Sequence, residues 1–158
     1  MHNFFSDILK ILSTFGSSVQ MYCVDVLSTM GVPNRNYNSF SSVLGKSGVF
    51  IFFSKATNEV LYIGSSTGLY LSTGGPGAVA QLINTNNNAI YKHFLALNPN
   101  LATQTSSSQP QRNAYDNYIN GYSVFFFCFT PTPTNQANFQ ADLIDIVTDL
   151  KSILNPTV

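Results

Sequence analysis

The chain has 158 residues with seven basic and seven acidic side chains, so its formal charge is zero; 9% of residues are charged, 44% hydrophobic and 13% aromatic. This length supports one sizeable core with an appendage rather than two full domains. A neutral chain projects no long-range field toward a phosphate backbone, which argues against a free-standing nucleic-acid binder; so charge-poor a surface suits a subunit covered by neighbours, and equally a secreted or capsid-like protein.

Residues 1–45 read as a helical extension followed by a linker. Phe4, Phe5, Ile8, Leu9, Leu12 and Phe15 recur at three- and four-residue spacings, the pattern of an amphipathic helix, with Asn3 or Ser6 as its cap. The stripe Phe4, Ile8, Leu12 and Phe15 has to be buried, either on a partner protein or on the body of the chain, and is the candidate partner-binding surface. Gly16 breaks that helix, and residues 18–30 read as a second helix stopped by Gly31 and Pro33. Residues 36–47 are a Ser/Asn-rich linker. The N-terminus lacks the basic start of a signal peptide, and its longest uncharged stretch, residues 11–24, is too short and polar to cross a bilayer. Cys23 falls in the second helix and Cys128 in an apolar run, so both read as buried free thiols with no zinc-like spacing.

Residues 46–158 form the main domain, in the order β, β, α, α, β, α. Residues 48–54 and 60–65 read as two strands joined by the polar turn at 55–59. The glycines at 68, 74, 75 and 77 mark a flexible loop over 66–77, and helices are expected over 78–84 and 88–97. Residues 103–112 are polar and of low complexity, and read as a surface loop. The run at 122–129, Tyr-Ser-Val-Phe-Phe-Phe-Cys-Phe, reads as a central strand, and residues 136–153 as a closing helix.

The segment Gly48-Val49-Phe50, followed twelve residues later by Tyr62-Ile63-Gly64-Ser65, resembles the paired motifs of the GIY-YIG nuclease domain. The likeness continues through Ile90-Tyr91-Lys92-His93-Phe94, the strand at 122–129, Gln140-Ala141-Asp142-Leu143-Ile144 and the ending Leu154-Asn155. It implies an α+β fold with a small three-stranded antiparallel sheet flanked by helices, carrying the site on the first hairpin and two helices.

In that family a glutamate on the last helix holds a divalent metal, two tyrosines position the attacking water, and an arginine stabilises the developing charge. The corresponding positions here are degenerate. Phe50 stands for the first tyrosine, Tyr62 keeps the second, Gln140 stands for the glutamate, and the arginine region, represented by Gln81, has no basic residue. Asp142 lies about 200° around the helix from Gln140, so it does not share its face. Asp142, Asp145 and Asp149 read as a solvated acidic stripe, His93 as a structural histidine, and Glu59 as a turn residue far from the site.

The resemblance therefore implies a catalytically inactive domain without metal or other cofactor, serving as a structural or assembly subunit among other proteins. The alternative is a divergent endonuclease using Mg2+ through Tyr62 and Asp142, and a third reading is an inactive nucleic-acid-binding module.

Overall fold

The computed structural model describes residue 8 and residues 19–26, 42–69, 71–72, 75–76, 79, 89–103, 109–130 and 136–158. In chain order these contain β1 (Val19–Asp25), β2 (Ser47–Ser54), β3 (Val60–Ser66), β4 (Leu71–Ser72) and β5 (Gly75–Pro76). Next come α1 (Ala89–Leu97), α2 (Pro99–Ala102), α3 (Gln109–Ile119) and β6 (Tyr122–Phe129), then a 3-10 turn (Gln136–Asn138) and α4 (Phe139–Leu154). The architecture is α+β.

The sheet is antiparallel and four-stranded, in the order β1-β6-β2-β3. β6 pairs with β2 from Phe129 opposite Ser47 to Tyr122 opposite Ser54, and with β1 from Val19 opposite Phe129 to Asp25 opposite Ser123. β2 pairs with β3 in a hairpin whose register shifts between Phe52 and Phe53, where Leu61 is the extra residue. Asn58 closes the turn in the left-handed region at φ 61°, and the Ser54 amide donates to the Glu59 carbonyl at 2.8 Å.

The reason the central strands are continuous apolar runs is that both faces of the sheet are covered. On one face Phe50, Phe52, Val124, Phe126 and Cys128 pack against Ile90, Tyr91 and Phe94 of α1 and Tyr115 and Ile119 of α3. On the other, Val49, Ile51, Phe125 and Phe127 pack against Phe139, Leu143, Ile146, Val147 and Leu150 of α4. Ile8 joins this second cluster and is fully buried.

Five expectations are corrected. Residues 19–25 form an edge strand where a second helix over 18–30 was expected, and the sheet has four strands instead of three. Val19, Tyr22 and Val24 suit a pleated surface, and pairing with the apolar β6 outweighs a weak helical preference. Cys23, expected to be buried in a helix, is exposed on that strand, whereas Cys128 is buried. The polar stretch at 103–112 gives way to α3 from Gln109, with Pro110 in its first turn. The loop at 66–77 is partly ordered: β4 and β5 form a two-residue ladder, and the Leu69 amide donates to the Lys46 carbonyl at 2.9 Å.

α4 ends at Asn155, left-handed at φ 48°, whose amide donates to the Lys151 carbonyl at 3.1 Å. Beyond Pro156 the chain turns along β3, where the amides of Thr157 and Val158 donate to the carbonyls of Val60 and Leu61 at 3.1 and 2.8 Å. The first strand of the hairpin is thus held by β6, and the second by the C-terminal residues.

Candidate functional site

Phe50 and Tyr62 lie on adjacent strands of one sheet, with Phe50 opposite Gly64 and Tyr62 opposite Phe52. Their rings stack, with centroids 6.0 Å apart and planes at 21°. The glycine of the second motif makes this possible. A Cβ on Gly64 would lie 2.6 Å from Cζ of Phe50 and 2.9 Å from Cε1 of Tyr62, closer than side chains normally approach. Gly48, in the first motif, is tighter still: a Cβ there would sit 1.9 Å from the Phe127 carbonyl oxygen on β6. Both glycines therefore have a packing reason that requires no chemistry.

Phe50 is 1% exposed, while Tyr62 is half-buried. Burial raises the Tyr62 phenol above its ordinary value of 10.0, which favours the neutral form. Gln140 is exposed on α4. The apolar stripe of that helix packs on the sheet face opposite the one that carries Phe50 and Phe52. Asp145 and Asp149 are exposed and Asp142 half-buried on the same helix. Among the described residues no three His, Cys, Asp or Glu side chains cluster closely enough to hold a metal ion. Gln81 lies outside the described residues, as do Phe4, Leu12 and Phe15.

The middle-helix segment is occupied with structure. Tyr91 is buried, its hydroxyl donating to Oε1 of Gln111, and the Gln111 side-chain amide donates to the Leu101 carbonyl at 2.7 Å. Gln111 is itself 1% exposed, so this pair ties α1, α2 and α3 together around a satisfied buried amide. Tyr91, Phe94, Tyr115 and Tyr118 continue the cluster through tilted ring contacts, with Tyr91 and Tyr115 4.8 Å apart.

His93 is half-buried and lines an open cavity of about 300 Å³ together with Glu59, Tyr118, Tyr122, Ser54 and Thr57. Sequence reasoning did not join these residues, since they come from the hairpin turn, α1, α3 and β6, and no spacing connects them. A second cavity, of about 250 Å³, lies near Gln20, Lys46 and Cys128. There the Lys46 ammonium donates to Oε1 of Gln20 at 3.0 Å and stands 5.6 Å from the Tyr22 ring centre. Ile8, one of the four residues expected to meet a partner or the body, is spent on the chain's own core.

No helix among the described residues is long and apolar enough to cross a membrane. No family model, curated protein or solved structure matches the chain.

Proposed function

We propose that this chain is a non-enzymatic structural subunit of a larger protein assembly, built on a degenerate GIY-YIG fold. The observation that carries the reading is the fate of the first-motif aromatic. Phe50 has no hydroxyl to position water, is 1% exposed, and stacks on Tyr62 over Gly64 as a core contact. The two motif aromatics share one hairpin, as the resemblance expects, and packing alone accounts for the Phe50 ring. Gln140 brings a neutral amide where a metal-holding carboxylate is expected, and α4 buries its stripe against the far face of the sheet. The assembly half of the reading rests on a chain with few charges and on large apolar side chains exposed among the described residues, Met21, Leu44, Leu97, Ile144 and Ile153.

The test is twofold. Purified chain incubated with duplex DNA or RNA and magnesium or manganese is expected to leave the nucleic acid intact. Native protein from its source is expected to elute with other polypeptides. Turnover abolished by Tyr62→Phe would instead establish the divergent endonuclease, and a monomeric native protein would remove the assembly reading.

A further inference from the structure

The two outer edges of the sheet are treated differently. Along β3 the chain closes the start of its own edge, with Thr157 and Val158 donating to Val60 and Leu61, and Ile63 and Gly64 beyond them are buried. β1 pairs inward with β6 over its whole length, and at residues 19–24 no backbone hydrogen bond reaches its outer side among the described residues. An open edge presents a row of unpaired donors and acceptors, and soluble proteins ordinarily guard it with lysine, proline or a bulge. β1, Val-Gln-Met-Tyr-Cys-Val-Asp, has no lysine and no proline, and its register against β6 runs without a shift. Gln20, Met21 and Cys23 are exposed, Met21 by 47%.

The charge pattern of β1 identifies what fits it. Its single charge, Asp25, lies at one end, where it accepts a hydrogen bond from the Ser123 hydroxyl at 2.6 Å. Two parallel copies of β1 would set these carboxylates side by side. Two antiparallel copies related by a two-fold axis at Tyr22 would separate them by roughly 20 Å, at 3.3 Å per residue. The rest of the strand is neutral, Lys46 beside it is bonded to Gln20, and the zero net charge of the chain gives no net repulsion between copies. Pairing at β1 about a two-fold axis uses the same edge of both copies, so it makes a finished dimer and not a fibre.

We infer that β1 is a homotypic interface: β1 of a second copy adds antiparallel to it, joining two four-stranded sheets into one continuous sheet. The pairing is independent of whether the motif site is degenerate. A failure to dimerise leaves the assembly reading to other partners, and cleavage of nucleic acid by a dimer leaves the interface standing.

The experiment is light scattering coupled to size exclusion on the full chain over a range of concentrations. The expected result is twice the chain mass, returning to the single mass in the variant carrying Met21→Lys and Cys23→Lys. These positions are exposed, so the variant should keep its far-UV spectrum, while the new charges oppose one another across the pair. A wild-type chain that stays monomeric throughout overturns the inference, and so does a folded lysine variant that still dimerises. Should the variant not fold, hydrogen exchange of the wild type decides: amides in 19–24 should exchange faster on dilution, and rates independent of concentration reject the interface.

Discussion

Phe50 sits in a packed site with no room set aside for a hydroxyl, and adding one has a definite cost. Phe50→Tyr would place a hydroxyl at the end of a ring that is 1% exposed and whose Cζ already borders Gly64 and the Tyr62 ring. An unpartnered buried hydroxyl costs about 1–3 kcal/mol, so the variant should unfold at lower denaturant without gaining nuclease activity. A variant as stable as the parent that cleaves DNA would refute this. Gly48→Ala tests the other motif. The 1.9 Å approach of its Cβ to the Phe127 carbonyl sets backbone against backbone, which no rotamer change relieves. The strands must part at the centre of the sheet, and a loss of at least about 2 kcal/mol is expected in chemical denaturation.

Among the elements, β2, β3, β6 and α4 were legible because burial on both sheet faces, or a clean helical stripe, writes an unambiguous pattern. Phe125, Phe126 and Phe127 are all buried, and alternate between the two clusters. β1 was not legible, because an edge strand exposes Gln20, Met21 and Cys23 and so shows neither a helical nor an alternating period. α3 was hidden by composition, since its buried anchors at 111, 115 and 119 include a glutamine whose partners, Tyr91 and Leu101, come from other elements. The motif positions could be read from spacing, but the cavity beside Glu59 and His93 required four elements to meet. Thiol labelling checks the revised strand. A maleimide should modify Cys23 in the folded, dilute monomer, slowly because the partly buried sulfur and nearby Asp25 raise its pKa, and should reach Cys128 only on unfolding. Equal protection of both thiols would contradict an exposed Cys23.

For the whole molecule, the alkaline limb of stability is expected to carry a thiol. Burial pushes Cys128 from its ordinary value of 9.0 up to about 11, against a smaller opposing pull from Lys46. Between those values the unfolded chain loses the proton while the folded chain keeps it, so stability is complete below about pH 9 and falls as pH rises toward 11. The loss is at most about 3 kcal/mol, and Cys128→Ala should flatten the slope measured by denaturation at successive pH values. Tyr62, also raised by burial, leaves a residual slope in that variant.

The N-terminal segment supplies the last test at this scale, because Ile8 is 0% exposed among Val49, Ile51, Phe127 and the α4 stripe. Ile8→Asp removes a filled core position and sets a carboxylate among apolar side chains, a change worth at least about 3 kcal/mol against a typical total of 5–15. The main domain should therefore lose stability along with the segment, seen as one cooperative transition at lower temperature. If residues 46–158 melt unchanged in this variant, the segment is a separable appendage and its contact with the core is dispensable.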